Sequence, residues 1–292
     1  VRVDLHTHSR VSDGTQSPRE LVQAAKAAGL DVLALTDHDT AAGWAEAATA
    51  AEEVGLQLVP GMEVSTTYRG RGVHLLAYLP DPTHPDLAAL LTRVLQGRDS
   101  RVPEVLARLR ALGIGIEQHH LDAVSGDAAA TGRPHVADAL VALGAVADRT
   151  EAFDRYLAAG RPAYVDRWAA PLLDTLAAVS AAGGVAVVAH PWGRHDPGVL
   201  DAEGLEVLRD AGLVGIEVDH RDHGSAERAA LRGIAEDLDL VVTGSSDHHG
   251  LGKVDHELGC HTTAPDQLER LLDLAAGAAA ASGRTTPTVV GR

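Results

Sequence analysis

Histidine carries the chemistry of this sequence. There are 16 in 292 residues, and many stand beside carboxylates. The segments are Asp4-Leu5-His6-Thr7-His8, Thr36-Asp37-His38-Asp39, Gly61-Met62-Glu63, Ala189-His190-Pro191 and Ser246-Asp247-His248-His249-Gly250, with Asp13 and His74 nearby in the chain. Alternate residues of an extended segment share a face, so His6 and His8 point together, and so do Asp247 and His249. Mixed imidazole and carboxylate donors suit Zn, Fe or Mn, and a carboxylate such as Glu63 can bridge two ions. Clustered ions activate water and clamp the oxygens of an in-line phosphoryl displacement.

These residues do chemistry together only if the fold gathers them. Short aliphatic runs at 2–6, 31–36, 56–64, 73–79, 185–189, 213–218 and 239–243 read as strands. Segments 17–29, 40–54, 170–182, 198–211 and 224–237 carry apolar residues at helical spacing. Alternating strands and helices predict an α/β fold with mostly parallel strands, and seven such strands suggest a closed or nearly closed barrel. The candidate ligands fall at the strand ends, and an α/β barrel brings its C-terminal strand ends together at one rim. Arg69-Gly70-Arg71-Gly72, between Glu63 and His74, reads as a hairpin turn with no room for a helix. That turn brings His74 back beside Glu63. From 84 to 169 the strand rhythm stops and helices are expected at 84–97, 99–112, 117–124, 134–143 and 149–159. The resulting division is a barrel over 1–99 and 166–285, a helical insert over 100–165 that contributes to the substrate pocket, and a loose tail over 286–292.

Composition narrows the function classes. The formal net charge is -16, with 25 Lys and Arg against 41 Asp and Glu, so broad binding to duplex DNA is not expected. Aromatic residues are 3% of the chain, too few for base-stacking platforms. The single cysteine, Cys260, excludes a disulfide framework and a cysteine-rich zinc site. No apolar run has membrane-spanning length, and no secretory h-region opens the chain; a cytoplasmic location is the expectation.

The motifs His6-Thr7-His8-Ser9 with Ser12-Asp13-Gly14, Thr36-Asp37-His38-Asp39, Gly61-x-Glu63, His74, Ala189-His190-Pro191 and Ser246-Asp247-x-His249-Gly250 resemble those of the polymerase and histidinol phosphatase (PHP) family. The resemblance covers the whole barrel. It implies a distorted (β/α)7 barrel of the amidohydrolase-like type and phosphoester hydrolysis by a metal-activated hydroxide, with two or three divalent ions as cofactors. It assigns His6, His8, Glu63 and Asp247 to one ion, Asp13, His38 and His249 to a second, and Glu63, His74 and His190 to a third. In the insert, Gly132-Arg133-Pro134-His135-Val136-Ala137, Phe153-x-x-Tyr156-Leu157 and Pro162-Ala163-Tyr164-Val165 resemble the stand-alone subgroup that acts on nucleotides. Its substrates are nucleoside 3′,5′-bisphosphates or short 5′-phosphorylated RNA. A histidinol-phosphate-type phosphatase and a non-catalytic metal-binding module are the competing readings.

Phosphate also needs donors from the protein. Arg133 and His135 are the first candidates, since arginine offers phosphate a planar fork of donors. His223 is the second, either binding phosphate or protonating the leaving oxygen. Glu217 is either a carboxylate that orients a metal ligand or a buried structural one. Arg194, His195 and Lys253 lie near motif ends and carry no assignment. His119, His120, His256 and His261 match no motif and are expected at the surface.

Overall fold

A computed structural model describes residues 1–126, 128–193 and 197–292. Eight strands are present among them: β1 (Val3–Asp4), β2 (Val32–Leu35), β3 (Gln57–Tyr68), β4 (Arg71–Tyr78), β5 (Ala170–Pro171), β6 (Val185–Val188), β7 (Leu213–Asp219) and β8 (Val241–Gly244). They form one sheet in the order β1-β2-β3-β4-β6-β7-β8, with β5 paired to β3 off that path. The two ends of the sheet meet through one bridge, Thr7 to His248, where His8 N donates to His248 O at 2.9 Å. The result is a nearly closed barrel of the α/β class, as the strand–helix rhythm predicted.

Strand β4 is antiparallel to both β3 and β6, while β1–β2, β2–β3, β6–β7 and β7–β8 are parallel. The reversal follows from a two-residue turn. Arg69 and Gly70 both adopt positive φ (47° and 74°), the backbone that matches the twist of paired strands. Register along this hairpin places Ser65 opposite His74 and Glu63 opposite Leu76. The hairpin predicted between Glu63 and His74 therefore exists, and it delivers both side chains to one rim.

Helices α1 (Pro18–Ala27), α2 (Trp44–Val54), α3 (Pro85–Ser100), α8 (Leu172–Ala181), α9 (Ala202–Asp210), α10 (Ser225–Asp237) and α11 (Pro265–Ser282) pack around the sheet. The start of α1 follows from its sequence. The Ser17 hydroxyl accepts from Glu20 N and the Glu20 carboxylate accepts from Ser17 N, a reciprocal cap before Pro18. Leu21, Val22 and Ala25 of α1 meet Ala47, Ala50 and Ala51 of α2 over Leu33, Leu35 and Leu58. Helix α2 begins at Trp44, later than its periodicity suggested, because Asp39 turns the chain at φ 60° first. Helix α9 likewise waits for its cap, the Asp201 side chain, which accepts from Gly204 N.

Helices α4 (Val102–Ala111), α5 (Gln118–Ser125), α6 (Arg133–Ala142) and α7 (Arg149–Ala152) gather around a core of their own, with Leu106, Leu109, Leu121, Val136, Leu140 and Leu157 buried. The last helix departs from the expected 149–159. After one turn it widens into a π-helical segment, Phe153–Leu157. The C-terminal stretch departs more clearly from the loose tail expected at 286–292. Val290 pairs with Leu58, N to O at 2.9 Å in one direction and 3.1 Å in the other. No helix among the described residues is long and apolar enough to cross a membrane.

Candidate metal centre

Strand alternation and strand ends build the centre. Past β1 the chain stays extended, so Leu5 and Thr7 point away while His6 and His8 share a wall; both histidines are fully buried. His38 follows β2, Glu63 lies within β3, His74 within β4, His190 just past β6, and Asp247 and His249 past β8. Asp39, His190 and Asp247 hold positive φ (60°, 28° and 53°). Non-glycine residues rarely adopt this conformation, and it concentrates at functional sites. Asp37 anchors the loop that carries Asp13: its carboxylate accepts from Ser9 N at 2.8 Å and from the hydroxyls of Ser9 and Ser12 at 2.6 and 2.7 Å.

All nine residues named as metal ligands from the sequence converge on one cluster, buried except for the half-buried His74. His6 Nε2 lies 3.1 Å from His8 Nε2, 3.3 Å from Glu63 Oε2 and 3.5 Å from Asp247 Oδ1. His8 Nε2 lies 3.1 Å from Glu63 Oε2 and 3.5 Å from Asp247 Oδ1. Ligand distances of about 2.0–2.1 Å to a tetrahedral ion set neighbouring donor atoms roughly 3.3–3.4 Å apart. The five separations fit that figure. The donor chemistry fits too. His6 Nδ1 faces Glu217 Oε1 at 3.1 Å, which fixes its proton on Nδ1 and leaves a lone pair on Nε2. His8 Nδ1 faces Ser12 Oγ at 3.4 Å, and that hydroxyl donates its proton to Asp37 Oδ1 at 2.7 Å, so it accepts from Nδ1–H. In the metal-free protein protons on these imidazoles balance the carboxylates; a cation that displaced them would meet two imidazole lone pairs and two carboxylate oxygens at one point.

The other two groups share the same wall. Asp13 meets His249 Nε2 at 3.3 Å and His38 Nε2 at 3.6 Å. The Oε1 atom of Glu63 faces His74 Nδ1 at 2.7 Å and His190 Nε2 at 3.2 Å, while its Oε2 faces His6, His8 and His38. One carboxylate thus spans two donor sets, the geometry of a bridging ligand.

Electrostatics agree with a site built for positive charge. Burial works against ionisation of Glu63, yet His74, His38 and His6 hold its carboxyl well below the usual carboxylate range. Burial likewise opposes ionisation of Asp13, which His38 and His249 hold well down, and of Asp247, which Lys253, His6 and His249 hold well down. Burial also opposes protonation of His8, but its hydrogen bonds to Asp247 and Glu63 lift it to about 9. Burial drives His38 down to about 3.

Comparison with known proteins identifies the family. The PHP domain model matches residues 4–121. A 5′-3′ exoribonuclease of Haemophilus influenzae is 38% identical over 248 residues, spanning 85% of this chain and 90% of that protein. A 3′,5′-nucleoside bisphosphate phosphatase of Chromobacterium violaceum is 38% identical over 263 residues, spanning 90% of this chain and 92% of that protein. The chain belongs to the PHP family. A solved structure of a protein assigned as a metal-dependent phosphoesterase, from Bifidobacterium adolescentis, superposes with a TM-score of 0.88 at 36% identity, covering 93% of this chain and 96% of that one. This PHP chain is accordingly a hydrolase of the metal-dependent phosphoesterase type.

Around the PHP cluster the remaining candidates separate. Arg133 lines a cavity of about 140 Å³ together with His74, His190, Pro191 and Leu200. Its Nη1 donates to Leu157 O at 3.0 Å, and its guanidinium packs over the rings of Phe153 and Tyr164. His135 is buried, and its Nδ1 accepts from Gly132 N at 3.0 Å, capping α6. His223 does not suit the role expected of it. Its Nδ1 donates to Val218 O at 2.9 Å and its Nε2 accepts from Trp192 N at 3.2 Å. With both nitrogens committed to the backbone, the neutral ring has no proton to give a leaving group and no donor for phosphate. Burial pushes its pKa down, consistent with that neutral state. His256, expected at the surface, is buried near His220. Arg194 and His195 lie outside the described residues.

Sequence reasoning undervalued or missed four residues. Glu217 accepts from His6 Nδ1, from the Ser245 hydroxyl and from His190 N at 2.8 Å, so it orients two candidate ligands at once. His220 Nε2 lies 3.4 Å from Asp247 Oδ2, and Lys253 Nζ binds the same oxygen. Arg98, on α3, donates to Asp39 at 2.7 Å and to Ser65 at 2.8 Å beneath the rim.

Proposed function

We propose that this PHP-family chain hydrolyses phosphate esters of nucleotides, taking nucleoside 3′,5′-bisphosphates or short 5′-phosphorylated RNA. Two or three divalent ions (Mn, Fe or Zn) are its cofactors. In this reading His6, His8, Glu63 and Asp247 hold one ion, Asp13, His38 and His249 a second, and Glu63, His74 and His190 a third. The ions supply the activated water and the charge neutralisation that phosphoryl transfer needs. The chain's own residues do the rest. Glu217 keeps the His6 proton on Nδ1, so Nε2 faces the centre. Glu63 fixes the spacing between donor sets. Arg133 reaches the cavity beside His74 and His190 and donates to phosphate oxygens. The helical insert over 100–165 covers the pocket and selects the substrate.

One observation carries the choice of substrate class. Arg101 is 7% exposed, and its side chain makes no hydrogen bond or ion pair with any described residue. Burial and the neighbouring guanidinium groups of Arg133, Arg167 and Arg98 push it down to about 8. A buried cation without a counter-ion is costly. Four arginines crowded beside the ligand wall make sense when an anion completes them. A substrate with two phosphates offers one to the ions and the other to this cluster. A substrate with one phosphate, such as histidinol phosphate, leaves the cluster unmatched. Two enzymes similar to this chain, named as a 3′,5′-nucleoside bisphosphate phosphatase and a 5′-3′ exoribonuclease, support the same class.

Steady-state kinetics of Arg101→Met test this reading. The expected result is a KM at least tenfold higher for adenosine 3′,5′-bisphosphate, with a much smaller change for AMP. Equal changes for the two substrates would remove the second phosphate from the cluster.

A further inference from the structure

The insert reaches the metal centre at a point separate from the arginine cluster. Arg149, the first residue of α7, is bound in a fork by Asp138 of α6, with Nε to Oδ1 at 2.5 Å and Nη2 to Oδ2 at 2.6 Å. This pairing aims the remaining nitrogen. Arg149 Nη1 donates to Asp13 O at 3.0 Å and stands 3.4 Å from Gly252 O. One guanidinium therefore ties together the loop after β1 and the turn after β8. Those loops carry Asp13 and His249, two of the three residues that face one another in the Asp13–His38–His249 group.

The Thr7–His248 bridge joins the inner ends of these loops, but neither is a strand or an α-helix at Asp13 or Gly252. Beyond that bridge their contacts include Thr15 N to His249 O at 3.2 Å, the Thr15 hydroxyl to His249 O at 3.4 Å, Leu251 N to the Thr15 hydroxyl at 2.9 Å, and His248 Nε2 to Gln16 Oε1 at 3.0 Å. A second strut from the insert, Ala129 N to Val11 O at 2.8 Å, braces the β1 loop. The site accommodates the arginine closely. A Cβ built on Gly252 would lie 2.1 Å from Arg149 Nη1, so the glycine is what lets the guanidinium approach. The Arg149 side chain is 13% exposed, and its charge is matched by Asp138 in a bidentate pair, the stiffest form of such a contact.

We infer that Arg149 is a positioning residue through which the helical insert sets the ion affinity of the Asp13–His38–His249 group. It touches backbone carbonyls, not substrate. Helix α6 bears both Asp138 and Arg133, so a movement of that helix on substrate binding reaches Asp13 through the same pair. The inference rests on the metal reading of the nine-residue cluster given above.

The test is metal binding to the stripped full-length protein, titrated with Mn²⁺ and followed by calorimetry and elemental analysis. Wild type, Arg149→Met, Gly252→Ala and Asp13→Asn are compared, with thermal melting of each. The Gly252 variant displaces the guanidinium from the barrel side while keeping the Arg149 and Asp138 side chains, so it serves if Arg149→Met folds poorly. The expected result is a tenfold or greater loss of affinity for one class of ion in both Arg149→Met and Gly252→Ala. That class is the one Asp13→Asn abolishes, and the other ions and the melting temperature stay near wild type. Arg149→Lys should recover part of the loss, because an ammonium can reach one carbonyl. Wild-type affinities in Arg149→Met and Gly252→Ala would overturn the inference. So would a parallel loss of every ion together with the melting temperature, since that is what a merely structural role produces. If Asp13→Asn leaves every class of ion in place, the assignment of the second ion fails instead, a distinguishable outcome.

Discussion

Replacing Glu217 by Gln changes one oxygen to an amide nitrogen and little else. In the native protein Oε1 accepts from His6 Nδ1 and from the Ser245 hydroxyl, and Oε2 accepts from His190 N. Glutamine can accept at one position only. If its oxygen stays toward His6, the amide donors meet the His190 N–H, and one bond is lost with a buried donor left unsatisfied, a cost of roughly 1–3 kcal/mol. The opposite orientation loses two bonds and removes the acceptor that fixes the His6 tautomer, so the first is favoured. His6 then keeps its orientation but faces a neutral partner and becomes a weaker donor through Nε2. Losing such a partner behind a ligand costs about 10–100-fold in metal affinity, or roughly 1.4–2.7 kcal/mol. Competition for Mn²⁺ against a chelating dye, with the melting temperature of the metal-free protein as control, reads both numbers. Affinity within twofold of wild type in a folded Glu217→Gln protein would refute the reasoning and return Glu217 to a packing role.

His6→Ala and Asp247→Asn should each lose bound metal and turnover together, measured by elemental analysis and phosphate release. The pH dependence of the metal-free protein has a definite sign. His8 is raised from 6.5 to about 9, so its protonation stabilises the fold fully below about pH 6.5, and that contribution fades as pH rises towards 9. Metal binding must displace this proton. Over the same interval the melting temperature of stripped protein should therefore fall, Mn²⁺ affinity should rise, and binding in weak buffer at pH 7 should release protons. Arg133→Ala should raise KM for phosphate-bearing substrates by about tenfold or more with a smaller effect on kcat, seen in initial rates. His223→Gln should lower the melting temperature through its two backbone contacts while leaving the pH profile of kcat unshifted. A lost titration limb there would restore His223 as a proton donor.

The nine candidate ligands could be named because they are histidines or acids that the sequence sets at or near strand ends, although Glu63 and His74 lie within β3 and β4. His6-x-His8 and Asp247-x-His249 could be paired from strand alternation alone. The reversal of β4 was legible as well, because Arg69-Gly70 leaves no room for a crossover helix. The residues that hold the ligands were not. Glu217 is one acid within an apolar strand, and only its partners just past β1, β6 and β8 (His6, His190 and Ser245) give it work. Arg98 sits in α3 and Arg101 at its junction with α4, among many other charged residues, and their burial depends on how α3 and α4 meet the barrel. His223 looked suitable because its type was right; the backbone partners that neutralise it come from Val218 and from Trp192, 31 residues away. The C-terminal tail looked loose from its Gly, Ser, Thr and Pro content, but the pairing of Val290 with Leu58 uses main-chain atoms that composition does not report.

The most direct test of the account is phosphate release from adenosine 3′,5′-bisphosphate by chelator-stripped protein, before and after Mn²⁺ is restored, with Asp247→Asn alongside. The account predicts release only from the restored wild-type protein. Turnover by stripped protein, or equal turnover by Asp247→Asn, would contradict the claim that the histidine–carboxylate cluster is the metal centre that does the chemistry.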